Sequence, residues 1–265
     1  MKVEVGFGEN QFTMSRGSFK YKQRISGKRK LVLQNKQKTE EGYLLTYVDP
    51  KGKTMDEQCY LFRVTENGTQ IRLAYEGDEK PKVNRYWLTF ETNSTEHIYG
   101  CGETYSEFDL KGQKVRIWVA EHQNTGRISK KIIKEKIIGK HPDKKLAFDK
   151  YESYYAQPTF VSSDHYYVHC DVNAYSEFDF RDPNYMTLYF QEPPVMITDV
   201  GGDFVEVSRK LTALLGRQKA LPDWLYDGVI LGIQGGTEVV DAKIKKAKEA
   251  GIPIAGVWCQ DWSGC

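Results

Sequence analysis

The chain has 265 residues, of which 40% are hydrophobic and 13% aromatic, with a formal net charge of +2. That length buries a sizeable core in one or two domains, while the near balance of charge excludes a global field that draws a protein to nucleic acid or an anionic membrane. The opening MKVEVGFGEN holds no apolar run long enough for a signal peptide, and nowhere do eighteen apolar residues occur together, so a cytoplasmic protein with no membrane segment is expected.

Residues 1–203 read as a β-rich domain. Period-two patterns and short apolar runs mark strands at YLLTYV (43–48), QCYLFRV (58–64), TQIRLAYEG (69–77) and RYWLTFET (85–92). Turn chemistry at Pro50-Lys51-Gly52 and Glu66-Asn67-Gly68 separates them. A sandwich rich in hairpins is the expected architecture. The stretch 127–145 carries Arg127 and seven lysines interleaved with isoleucines, and it reads as a solvated insertion rather than a membrane or nucleic-acid element. His165 and His169 are placed on a strand, where four residues of spacing separate them by roughly 13 Å, too far for one metal ion. Cysteines at 59, 101, 170, 259 and 265 include no CxxC pair, which fits neither a disulfide framework nor a zinc cage. No metal and no cofactor are expected.

The pattern changes after Gly202. Val207, Leu211, Leu214 and Leu215 recur at helical spacing, with Gly216 placed to end the helix, and 204–225 reads as a helical linker. Residues 226–234 then read as a buried strand, 238–250 as a Lys-rich amphipathic helix and 252–258 as a second buried strand. That is one βαβ unit over 226–265. Parallel strands need both faces covered, so this unit is expected to be the start of a (β/α)8 barrel, cut short at Cys265.

Candidate functional residues cluster where these strands end. Gln234 follows the first strand, and Gln260, Asp261 and Trp262 follow the second, which is where barrel enzymes carry their functional groups. Amides, a carboxylate and an indole suit a hydroxyl-rich sugar. Gly232, Gly235 and Gly236 admit a rival reading as a nucleotide loop, but their spacing is not GxGxxG and Glu238 puts a negative charge where a phosphate would bind. A carbohydrate-binding sandwich without catalysis is a further alternative.

From about residue 96 onward the chain resembles glycoside hydrolase family 31. HIYGCGETYSEFDLKGQ at 97–113 is similar to the family's YGxGE segment, and YYAQPTFVSSDHYYVHCDVNAYSEFDF at 154–180 to the strands that follow it. LTALLGRQKALPDWLYDGVILGIQGGTEVV at 211–240 and GVWCQDWSG at 256–264 resemble the family's sulfosugar-cleaving branch more than its α-glucosidases or α-xylosidases. The resemblance implies a galactose-mutarotase-like N-terminal β-sandwich followed by the barrel. It also implies retention through two aspartates that lie beyond Cys265, so that the chain is an inactive front portion. Gln234 and Gln260 match the two glutamines around the sulfonate, Asp261 a carboxylate that holds substrate hydroxyls, and Glu121 a loop residue that reaches the leaving group. The partner implied is a sulfosugar or an α-glucoside.

Overall fold

The computed structural model describes residues 1–15, 18–51, 59–76, 83–103, 107–119 and 153–259. Met1–Leu214 form one compact unit and Leu215–Cys265 a second. The first unit is mostly β. Its six-stranded antiparallel sheet contains, in spatial order, β2 (Ser18–Lys30), β1 (Lys2–Ser15), β7 (Arg85–Glu91), β13 (Tyr185–Phe190), β12 (Ser176–Asp179) and β9 (Lys114–Ile117). The eight-stranded antiparallel sheet runs β3 (Val32–Thr39), β4 (Gly42–Val48), β5 (Cys59–Asn67), β6 (Gln70–Glu76), β14 (Val195–Val200), β11 (Tyr166–Cys170), β10 (Ala156–Ser162) and β8 (Ile98–Gly102).

Alternation along the strands builds the sandwich. In β7, Tyr86 and Leu88 point into the core and are fully buried, whereas Trp87 points to the opposite face. Its partner β13 does the same with Leu188 and Phe190 inward and Tyr189 outward, because the register sets Leu88 opposite Leu188 and Trp87 opposite Tyr189. Phe62, Phe160, Val168 and Met196 of the other sheet complete the core. Each such side chain contributes about 1.5–3 kcal/mol by leaving water. The β5–β6 hairpin closes through Gly68, whose φ of +61° suits the first position of a two-residue turn.

The sheet edges are protected by charge. β2 exposes Lys22, Arg24, Lys28 and Lys30, and β3 exposes Lys36 and Lys38, which discourages pairing with another chain. Only Lys2–Gly6 of β1 pair with β7; beyond that point β1 pairs with β2 alone, so the two strands continue as a long arm.

Helix α1 (Phe204–Leu215) starts at a reciprocal cap: the Glu206 N–H donates to Asp203 Oδ1 at 2.7 Å and the Gly202 N–H to Glu206 Oε2 at 2.6 Å. Lys210 ties it to the sandwich, donating to Thr69 Oγ1 at 2.7 Å and Asp199 Oδ1 at 3.1 Å. The helix falls in the first unit up to Leu214, and Gly216 after it takes φ +87°. His165 lies in the turn before β11 with φ +60°, not on the strand, and its ring meets Phe204 edge-on at 5.0 Å.

The second unit holds a 3-10 turn (Asp223–Tyr226), β15 (Val229–Gly232), α2 (Thr237–Glu249) and β16 (Ile254–Trp258), with β15 and β16 parallel. The strand expected over 226–234 is shorter because the 3-10 turn occupies its start. Gly228 then passes so near the chain that a Cβ there would sit 2.5 Å from the Pro253 carbonyl.

Candidate functional site

The end of β15 is shaped by its neighbours in sequence. The Ile233 N–H donates to the Trp258 carbonyl at 2.9 Å, so the β15–β16 ladder extends one residue past the strand and Ile233 is buried. Gln234 is therefore the first side chain beyond the paired backbone, and it is exposed. Gly235 and Gly236 follow with φ of +115° and +83°. Those values turn the chain sharply from strand to helix at little steric cost, which explains the glycine pair. Gly236 is the N-cap of α2 and Glu238 stands in the first turn, where a carboxylate complements the helix dipole. The glycines thus serve the turn, and the acidic helix start disfavours a phosphate.

Gln234 borders a cleft of about 520 Å³ lined also by Gly232, Ile233, Lys243 and Trp258. The indole of Trp258 is 63% exposed, leaving its face available to a ligand. This set offers an amide, an ammonium and an aromatic face. It can bind an anionic, hydroxyl-rich molecule, and among the described residues the lining carries no carboxylate to cut a glycosidic bond. Lys243 lies in the Lys-rich helix, where composition alone marks it as one solvated charge among several. It borders the same cleft as Gln234 because the turn at Gly235–Gly236 leads from the strand into its helix.

Gln260, Asp261, Trp262 and Glu121 lie outside the described residues, as does the 127–145 stretch. The YGCGE segment occupies β8 and the residue after it. Its glycines serve backbone contact: Gly100 takes φ +121° and Gly102 φ +91°, each pressed against the backbone of β10 or the residue before it. His169 accepts from or donates to Thr159 Oγ1 at 2.8 Å through Nδ1, and burial pulls its pKa down. Among the described residues no three His, Cys, Asp or Glu side chains are grouped to hold a metal ion, and no helix is long and apolar enough to cross a membrane.

Residues 5–131 match the glycosyl hydrolase 31 N-terminal galactose mutarotase-like domain. Over 261 residues the chain is 36% identical to the sulfoquinovosidase of Escherichia coli K12, and over 263 residues it is 32% identical to that of Agrobacterium fabrum. Each alignment covers 98% of this chain and 37% of the relative, so the chain spans a little over a third of the length of the curated relatives it matches. Among solved structures, a family 31 sulfoquinovosidase from E. rectale in complex with an aza-sugar inhibitor superposes with a TM-score of 0.81 at 29% identity, covering 99% of this chain and 38% of the other. A cycloalternan-forming enzyme from Listeria monocytogenes shares the fold, with a TM-score of 0.54 at 16% identity.

Proposed function

Since the chain carries the N-terminal galactose mutarotase-like domain of glycosyl hydrolase family 31, we propose that it supplies the sandwich and the first barrel strands of a retaining α-glycosidase acting on α-sulfoquinovosides. The observation that carries this reading is Gln234 at the end of a parallel strand. It borders a cleft beside a lysine and an indole, in a chain similar to two sulfoquinovosidases along nearly its whole length.

In this account β15, α2 and β16 open a (β/α)8 barrel whose functional groups gather past the strand ends. Gln234 and Gln260 donate amide N–H groups to the sulfonate, Asp261 and Trp262 hold and face the sugar, and Glu121 reaches toward the leaving group. Neutral donors orient an anion without needing a counter-charge of their own. The retaining aspartate pair, about 5–5.5 Å apart in such enzymes, belongs to later strands, so the 265-residue chain by itself does not cleave. Position in a reducing cytoplasm fits the lack of paired cysteines in the sequence.

The test is hydrolysis of a nitrophenyl α-sulfoquinovoside and the matching α-glucoside by the complete protein that contains this segment. A kcat/KM favouring the sulfosugar is expected. Preference for the glucoside would support the α-glucosidase reading of the same family instead.

A further inference from the structure

Among the described residues, one charged side chain, that of Lys243, lines the cleft at the end of β15. Helical geometry accounts for its presence there. In the turn before α2, Gly235 passes so close to Val239 that a Cβ on it would fall 3.2 Å from Val239 Cγ1. Val239 therefore stands on the face of the helix that looks back on the turn. Position 243 lies one turn further along and about 40° round from 239, so Lys243 shares that face. Helical side chains lean toward the N-terminus, which carries the ammonium back toward the strand end, where Lys243 borders the cleft with Gln234 and Trp258. Glu238, the acid of the first turn, is about 140° round the helix from Lys243.

The sequence of α2 also leaves the charge of Lys243 without an offset from its own helix. Lys245 Nζ has Glu249 Oε1 at 4.0 Å, four residues on. The positions three and four residues from Lys243 are Val239, Val240, Lys246 and Ala247, so no carboxylate of α2 stands where it pairs with this lysine.

We infer that Lys243 is the specificity-determining cation of the cleft: its ammonium offsets the fixed charge of a bound anionic sugar while the Gln234 amide orients it. An ammonium on a flexible stem is a point charge with three donors, suited to selecting charge rather than shape. A sulfonate keeps its negative charge throughout the pH range of a folded protein, and the matching hydroxyl of a neutral sugar has none to offset. This inference rests on the α-sulfoquinovoside reading of the chain.

The experiment is steady-state kinetics of the complete protein that contains this segment, on a nitrophenyl α-sulfoquinovoside and the matching α-glucoside, at about 0.05 and 0.5 M salt. In Lys243→Met, KM for the sulfosugar should rise about three- to tenfold with kcat nearly constant, so that the ratio of kcat/KM between the two substrates falls by that factor. Lys243→Gln should repeat this, and Lys243→Arg, which keeps the charge, should hold the ratio within about twofold of wild type. Added salt should lower the wild-type ratio and leave that of Lys243→Met nearly unchanged. Met and Gln are helix formers as good as Lys, so both variants should fold; if one does not, the other decides. A ratio unaffected by removing the charge, or a wild-type ratio indifferent to salt, would overturn the role of Lys243 and leave the sulfosugar reading standing. A wild type that prefers the glucoside would overturn that reading, and the inference with it.

Discussion

Gly102 lies against Tyr155 so closely that a Cβ on Gly102 would fall 2.3 Å from the Tyr155 carbonyl oxygen. The same backbone contact places the Glu103 N–H on that oxygen at 2.7 Å. Gly102 also sits at φ +91°, a region that side chains rarely adopt. Gly102→Ala should therefore destabilise the sandwich by about 2 kcal/mol or more, read as a lower urea midpoint. An unchanged midpoint would mean that the glycine in this motif is not there for the β8–β10 approach.

Glu96 is buried, accepts hydrogen bonds from the Ser162 and Tyr166 hydroxyls, and has Lys111 Nζ 4.0 Å away. Burial, and then the Glu96 carboxylate, push the Tyr166 hydroxyl well above its ordinary pKa. Glu96→Leu leaves the Ser162 and Tyr166 hydroxyls without this acceptor and removes the carboxylate beside Lys111, and should cost about 3 kcal/mol or more. Tyr166→Phe removes only one donor and should cost about 1 kcal/mol. Chemical denaturation of both variants checks the order, and a larger loss for Tyr166→Phe would contradict it.

Acid should unfold the sandwich through Asp179 and Asp109. Burial acts to raise both carboxyls, but hydrogen bonds from Arg181 outweigh it at Asp179, and those from His97 and the Lys111 and Ile98 N–H groups outweigh it at Asp109; both end below the ordinary 3.8. A depressed carboxyl contributes stability that is present above its unfolded pKa and lost as pH falls through the lower folded value. The urea midpoint should thus drop steeply below about pH 4. Asp179→Asn should flatten that drop, and an identical slope in the variant would refute the assignment.

Residues 222–265 should add little to the stability of the sandwich and lower the solubility of the chain. Val229, Ile230, Val257 and Trp258 are all at least 40% exposed on a two-stranded parallel sheet, which leaves apolar faces and strand edges open. Residues 1–221 alone should keep the melting transition and tolerate higher concentration. Poorer solubility of the shorter chain would argue that the second unit is self-sufficient.

The interior of the sandwich was legible because alternation writes it directly: Tyr86 and Leu88 in RYWLTFET carry the period, and β4, β5, β6 and β7 appear within a few residues of where the sequence puts them. The arm was not. β2 is rich in lysine and arginine, so its edge-strand protection masks the half-buried Tyr21 and Gln23 that alternate with Lys22 and Arg24. The outer aromatic cluster was equally hidden, since Trp87, Tyr175 and Tyr189 become neighbours only through the β7–β13–β12 pairing. At the candidate site, the sequence pattern puts Gln234 at the end of the first parallel strand, and there it borders the cleft. Lys243 needed the turn through Gly235 and Gly236, a matter of backbone angles rather than residue type.

The most direct test of the account is kcat/KM of the complete protein on an α-sulfoquinovoside and on the matching α-glucoside, in wild type and in Gln234→Glu. The substitution keeps the shape of the side chain and exchanges its N–H donor for a carboxylate facing a fixed anion. Losing a hydrogen bond to a charged group costs about 1.5–3 kcal/mol, so kcat/KM for the sulfosugar should fall about tenfold to a hundredfold while the glucoside changes little. Equal losses on the two substrates would show that Gln234 does not read the sulfonate.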